Sequence, residues 1–151
     1  MIFGIRVWAA LAWIALIAAL APVRGEGLEK LQLITAGGVH EFQVEIARDE
    51  PSREHGLMNR RYMAANHGML FEFDGAAPQA FWMKNTYIPL DMIFISATGE
   101  VTNIAANAEP LSERVIPSGA PCAAVLELNG GIAAAIGLRI GDKVRHPFFN
   151  S

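Results

Sequence analysis

The fold class of this chain is decided by one short stretch of sequence, His40-Glu41-Phe42-Gln43-Val44-Glu45-Ile46. From position 41 to position 46, polar and apolar side chains alternate strictly. This period of two places the apolar side chains on one face of a β-strand and the polar ones on the other. A second apolar run occupies residues 31–35, and Gly37-Gly38 separates the two runs. Together they predict a half-buried β-hairpin.

The chain beyond this hairpin shows more short apolar runs, divided by Gly, Pro, Asn and Asp. Strands are predicted at residues 69–73, 81–83, 91–96, 100–105 and 123–128, with a last strand after the turn at Gly141-Asp142. The turn at Asp74-Gly75 is expected to join the first two of these strands.

Two short helices interrupt the strands. Asp49 is predicted to cap the first, which carries Pro51 in its first turn and ends at Gly56. The second spans residues 131–136, and we expect Asn129 to cap it. This pattern predicts a mainly β fold, a compact single-domain β-barrel or sandwich with two short helices.

The first 25 residues are typical of a signal peptide. Arg6 supplies a positive charge, and residues 7–21 are uninterruptedly apolar, which is shorter than the roughly 20 residues that span a bilayer. Cleavage is expected after Gly25, leaving a single domain at residues 26–151. The protein is therefore predicted to be periplasmic or secreted, and an uncleaved leader that anchors it to the membrane is the alternative.

Charge and cysteine content exclude several classes of protein. Residues 26–151 keep 10 of the 12 basic side chains and all 15 acidic ones, a net charge of −5. Such a domain is not expected to bind nucleic acid, or a membrane other than through its leader. Cys122 is the only cysteine, so no intrachain disulfide can form, and its apolar neighbours predict a buried thiol.

One longer motif makes the chain recognisable. It reads Phe81-Trp82-Met83-Lys84-Asn85-Thr86, followed by Ile88-Pro89-Leu90-Asp91. With the segments at 56–58, 68–71 and 125–127, it resembles the domain-of-unknown-function family 192, also called uncharacterised protein family 0127. The resemblance covers most of residues 26–151. It implies a small, mostly β domain, often exported in bacteria, and no established activity.

The same motif holds the candidate binding site. On a strand, Trp82 and Lys84 share one face, so an indole could stack on a ligand beside an ammonium group. Asn85 adds an amide that both donates and accepts hydrogen bonds. Asp91 and Glu127 supply carboxyl groups if their strands meet. These residues, with Arg61 as an outlying candidate, predict a site for a small polar or anionic ligand.

Glu127 interrupts an apolar strand between two leucines. If its side chain points to solvent it needs no partner. If it points inward, it is expected to pair with Lys84 or Arg61, because an isolated buried carboxylate costs several kcal/mol.

Other interpretations stay open. Asp91 and Glu127 could act as acid and base in a hydrolase of envelope carbohydrate. Alternatively, Trp82 could be a core residue and Lys84 a structural ion-pair partner, in a structural or partner-binding module of the envelope that has no pocket. Binding is favoured over catalysis. No cofactor or metal is expected, because the methionines between positions 58 and 92 fit core positions better than a Cu(I) site.

Overall fold

A computed structural model describes residues 27–150 of the chain. The predicted leader and its cleavage point lie outside the described residues. In chain order, the elements are β1 (Glu29–Thr35), β2 (Gly38–Ala47), α1 (Glu50–His55), β3 (His67–Ala77), β4 (Ala80–Phe81), β5 (Leu90–Ile95), β6 (Val101–Ala108), β7 (Ile116–Pro117), β8 (Cys122–Asn129), α2 (Ile132–Ala135), β9 (Lys143–Arg145) and a final 3-10 helix (Pro147–Asn150).

Seven strands form one curled sheet in the order β6-β5-β8-β3-β2-β1-β9, and β4 pairs with β7 in a second, two-stranded sheet. Within residues 27–150, β2 and β3 are the one parallel pair of strands. Parallel neighbours require a crossover, and α1 lies in that connection. The predicted mainly β, single-domain fold with two short helices is confirmed.

The predicted hairpin of residues 31–46 is present. β1 and β2 pair antiparallel, and Phe42, Val44 and Ile46 are buried while the residues between them are more exposed. The first helix also begins as predicted, because the Asp49 side chain accepts a hydrogen bond from the Ser52 amide at 2.8 Å.

A hydrophobic core lies on each face of the large sheet. The first face carries Leu33, Val44 and Leu126, and α2 packs on it through Ala133. The second face carries a separate cluster that includes four of the methionines: Met63, Met69, Met83 and Met92. The prediction that methionines are core residues is confirmed at these positions.

Cys122 belongs to the same second cluster. Its side chain is fully buried, as predicted, and burial raises the pKa of the thiol above its ordinary value. A thiol in this environment is a small apolar group and not a nucleophile.

Three local predictions are wrong. Asp74-Gly75 is not a turn, because β3 continues through both residues, with a register shift against β8 beyond Glu72. The strand predicted at 81–83 shrinks to β4, since the chain bends away after Phe81. Asn129 does not cap α2: its amide instead donates to the carbonyls of Met63 and Ala64 at 3.0 and 3.1 Å.

Among the described residues, no helix is long and apolar enough to cross a membrane.

Candidate functional site

A groove of about 690 Å³ opens beside the second core cluster. One wall is α1 with the residues that follow it, and the opposite wall is β4 with residues 82–86. Phe71 and Phe73 of β3 and Glu127 of β8 complete the lining. Small-molecule sites in proteins usually have volumes of about 300–1,000 Å³, so this groove is large enough for a metabolite-sized ligand.

Aromatic rings give the groove a rigid apolar wall. The Phe81 ring meets the Phe71 ring edge-to-face at 5.1 Å between centroids, and the buried Phe94 ring at 6.2 Å. Such packing fixes the Phe81 ring in position. The Phe81 ring therefore joins this wall of the groove to the second core cluster.

Trp82 and Lys84 lie together at the rim. The Lys84 ammonium is 5.0 Å from the centroid of the Trp82 ring, and Trp82 remains 47% exposed. The prediction for Trp82 and Lys84 is therefore right about their contact and wrong about their secondary structure. The indole and the ammonium are neighbours, as expected, but they are not on a strand, because Lys84 and Asn85 occupy a turn.

The backbone around Met83 holds that turn in place. The Met83 side chain is fully buried, and its amide donates to the Ser112 carbonyl at 2.9 Å. Thr86 closes the turn with a backbone hydrogen bond to the Met83 carbonyl and a hydroxyl bond to the Lys84 carbonyl, both 3.1 Å long. These bonds fix the backbone on both sides of Lys84.

Asn85 lines the groove in a left-handed backbone conformation, with φ of 53°. Asparagine tolerates this region better than most residues. Its carbonyl accepts a hydrogen bond from the Asn59 amide at 2.8 Å, which ties the turn to the segment after α1. Asn85 thus shapes the turn and also presents its amide at the site.

Glu127 points inward and is 4% exposed. Its strand neighbours in register are Met69 on β3 and Met92 on β5, so its side chain lies on the second face and lines the groove. The expected partner is missing: no ion pair joins Glu127 to Lys84, to Arg61 or to another described residue. Burial instead raises the pKa of Glu127 to about 8, so the carboxyl group is protonated at neutral pH.

Asp91 lies elsewhere. It faces Leu128 across the β5–β8 ladder, one step from Glu127, and its side chain is on the first face. Its carboxyl oxygens accept hydrogen bonds from three backbone amides: Asn107 at 2.8 Å, Gly131 at 3.1 Å and Ala133 at 2.8 Å. Asp91 therefore satisfies the amino end of α2, the role predicted for Asn129, and does not reach the groove.

This arrangement separates the two carboxyl groups of the hydrolase hypothesis. Acid–base cleavage of a glycoside needs both groups around one bond. Asp91 and Glu127 lie on opposite sides of a packed sheet, so the structure does not bring them together.

Arg61 also lies outside the groove lining. Its guanidinium sits 4.7 Å from the centroid of the Tyr87 ring, in an exposed cation–π contact.

The α1 wall carries charges that sequence reasoning missed. Arg53 pairs with Glu50 at 3.1 Å and lies 5.5 Å from the Phe73 ring. It also donates to the Glu72 carbonyl at 3.0 Å. Glu54 and His55 line the same side. A six-residue helix has too few turns to show an amphipathic period, so only its capping signal was readable.

Within residues 27–150, no group of three or more His, Cys, Asp or Glu side chains is placed to hold a metal ion.

The comparisons with known proteins address the whole domain. The family model named DUF192 and described as an uncharacterized ACR family matches residues 32–146. The chain belongs to the DUF192 family. The resemblance found in the 81–91 motif is therefore confirmed.

Two solved structures resemble this DUF192 domain. One is a candidate transcription regulator from Sinorhizobium meliloti 1021, 50% identical, with a TM-score of 0.76, covering 78% of this chain and 92% of its own. The other is a protein of unknown function from Novosphingobium aromaticivorans DSM 12444, 41% identical, with a TM-score of 0.79, covering 85% and 91%. No curated protein matches the DUF192 chain significantly.

Proposed function

We propose that this DUF192 protein is a binding module for a small polar or anionic ligand of the cell envelope, which it holds in the groove between α1 and β4. Trp82, Lys84, Asn85 and Glu127 are the proposed ligand-binding residues, because all four line that groove.

One observation carries the proposal: a buried carboxyl group without a protein partner lines an aromatic groove. No described residue donates a hydrogen bond to the Glu127 carboxyl group or forms an ion pair with it. The protein does not enclose the Glu127 oxygens, because among the described residues His146 Nε2 is the one fully enclosed side-chain atom without a partner. A mostly buried carboxyl group that opens to a groove and has no protein partner calls for a specific explanation. A ligand that hydrogen-bonds Glu127 provides one.

The rim supports the same conclusion. The exposed Trp82 ring offers a flat surface for stacking, and Lys84 places a positive charge beside it. Stacking and charge at one edge are suited to a ligand with a planar or sugar-like body and a negative group.

Export is part of the proposal and rests on the sequence of the first 25 residues. Its test is the amino terminus of the protein recovered from fractionated cells. A periplasmic or secreted protein that begins at Glu26 would support export and cleavage. A protein that keeps its leader and stays in the membrane fraction would favour the anchored alternative, and a full-length cytoplasmic protein would contradict export.

A partner-binding module is the second candidate. Large apolar side chains are exposed around the 82–87 turn: Trp82, Tyr87, Leu111 and Val115. The Leu111 amide donates to the Thr86 carbonyl at 3.0 Å, so Leu111 and Tyr87 are close. Exposed apolar groups of this size often mark contact surfaces. The acidic charge of residues 26–151 makes a protein a better candidate partner than nucleic acid.

The binding proposal can be tested through Trp82 fluorescence. The wild type and Trp82→Phe would be titrated with sugar acids, organic acids and neutral envelope glycans, and the variant's signal would be subtracted to remove Trp8 and Trp13. We expect at least one compound to change the Trp82 signal. Lys84→Met should weaken that binding, whereas Lys143→Met, which removes a surface cation paired with Glu100, should not.

A panel that leaves the Trp82 signal unchanged throughout would contradict the small-ligand proposal and favour the partner-binding module. Equal weakening by Lys84→Met and Lys143→Met would show that the groove is not the site.

A further inference from the structure

Two groups of opposite character face the groove without a charged partner. The Lys84 ammonium contacts the Trp82 ring and makes no ion pair with a described residue. The Glu127 carboxyl group likewise has no partner among the described residues. Both side chains line the same groove, yet they are more than 4.0 Å apart, because no salt bridge joins them.

The other charged or titratable residues of the lining come from α1. Glu50 and Arg53 pair with each other at 3.1 Å. Glu54 and His55 are exposed to solvent, where water screens their charge. Inside the groove, this leaves one cation at the rim and one buried carboxyl group as the sites where a ligand's charge would matter.

We infer that the groove selects ligands that carry an anionic group and an ammonium group on one small molecule, with the anion at Lys84 and the ammonium at Glu127. This rests on the proposed function, and it names the ligand class for the same site.

The chemistry of Glu127 favours this class over a simple anion. Without a ligand, the carboxyl group is held neutral by its burial. An ammonium group beside it supplies the missing positive charge, so the carboxyl group gives its proton to the solvent and forms an ion pair with the ligand. The proton is the only species released, and no bond to carbon is made or broken.

Ligands with one charge satisfy only half of the site. A simple carboxylate reaches Lys84 and leaves Glu127 without a partner. A simple amine reaches Glu127 but leaves the Lys84 cation unneutralised near a second positive charge. Selectivity arises because each single-charge ligand leaves a groove group unpaired.

Calorimetry with matched ligands tests the inference. Straight-chain ω-amino acids of four to eight carbons would be compared at pH 7 with the carboxylic acids and the amines of equal length. We expect one amino acid to bind about tenfold or more tightly than both matched compounds. Repeating the titration in buffers with different ionisation enthalpies should reveal release of nearly one proton, because Glu127 starts protonated.

Two variants assign the effect. Glu127→Gln keeps the shape of the neutral acid and should fold, which its melting temperature verifies. It should lose both the preference for the amino acid and the proton release, yet still bind the carboxylic acid. Glu54→Gln removes an exposed carboxyl group from the same groove and should change neither property.

The outcomes separate the two proposals. If the carboxylic acid binds as tightly as the amino acid, or if Glu127→Gln keeps the preference, the inference fails while the proposed function stands. The inference also fails if no ω-amino acid binds although the wider panel contains a ligand. If neither the series nor the panel binds, both proposals fail.

Discussion

Asp91 and Glu127 occupy adjacent steps of the β5–β8 ladder, but their carboxyl groups lie on opposite faces of the sheet. Asp91 is opposite Leu128 and Glu127 is opposite Met92. Because side chains alternate along a strand, one step decides the face. Asp91 meets three backbone amides on its face, whereas Glu127 faces the groove. The same functional group therefore holds backbone amides at one position and opens to the groove without a protein partner at the other.

Glu127→Gln should change how stability depends on pH. The folded pKa of about 8 is above the ordinary value of 4.5, so the folded state binds the proton more tightly than the unfolded chain. The stability that this contributes is complete below about pH 4.5 and is lost as pH rises through about 8. As pH rises between these limits, the free energy of unfolding of the wild type should fall by about a few kcal/mol relative to that of the variant. Urea unfolding at pH 5, 6.5 and 8 measures this difference, and parallel pH profiles would contradict it.

Asp91→Asn should destabilise the fold and leave the groove intact. An amide offers one acceptor where the carboxyl group offers two, so at least one amide at the start of α2 loses its bond. We expect a loss of about 2–4 kcal/mol in the free energy of unfolding. Asp49→Asn is a matched control, since asparagine also caps helices and the cap of α1 is exposed. Equal effects of the two substitutions would refute the role assigned to Asp91.

Gly68→Ala tests how closely β3 and β8 approach. A Cβ atom at position 68 would lie 2.6 Å from the Glu127 carbonyl oxygen and 2.7 Å from a Leu128 methyl carbon. Relieving these contacts requires the backbone to move, at a cost of about 1–3 kcal/mol. Gly75→Ala, on the same strand, meets no atom within 4 Å and should be nearly neutral. Thermal unfolding of both variants distinguishes them, and a stable Gly68→Ala protein would show that the strands can separate.

His146 should make the protein less stable in acid. Burial at 2% exposure lowers the pKa of the imidazole and outweighs the nearby carboxylates of Glu29 and Glu72, which favour the charged form. The Glu29 oxygen is 3.2 Å from Nε2 but not aligned as a hydrogen-bond acceptor. A lowered folded pKa contributes stability above the ordinary value of 6.5, which is lost as pH falls.

The measurement for His146 is unfolding of the wild type and His146→Gln between pH 7.5 and 5. The wild type should lose more stability than the variant over this range. A His146→Gln variant that loses as much stability as the wild type, or more, would mean that the carboxylates dominate over burial.

The sequence predicts the fold well where periodicity is local. The spacing of Phe42, Val44 and Ile46 predicts which face of β2 is buried, even when the neighbouring strands are unknown. β8 is different, because it is apolar on both faces and its alternation is hidden. The direction of Glu127 therefore could not be derived from its neighbours in the chain.

The site was predictable only in part, for a related reason. Trp82 and Lys84 are close in sequence, so their contact follows from a short turn. Whether Asp91 joins them depends on the register between β5 and β8, which is set by residues far apart along the chain. The contribution of α1 to the groove could not be predicted from the sequence, because only the tertiary fold places this helix beside β4.

The parallel pairing of β2 with β3 has a consequence for redesign. The chain must cross from the end of β2 to the start of β3, and residues 48–66 make that passage with α1 in it. This passage forms one side of the groove. Its later residues are tied to the sheet, since Met63 packs in the core and the Asn66 carbonyl accepts a hydrogen bond from the Gln43 amide at 2.8 Å. α1 itself has no buried residue, so substitutions on this helix would let an engineer reshape the mouth of the groove while every strand keeps its register.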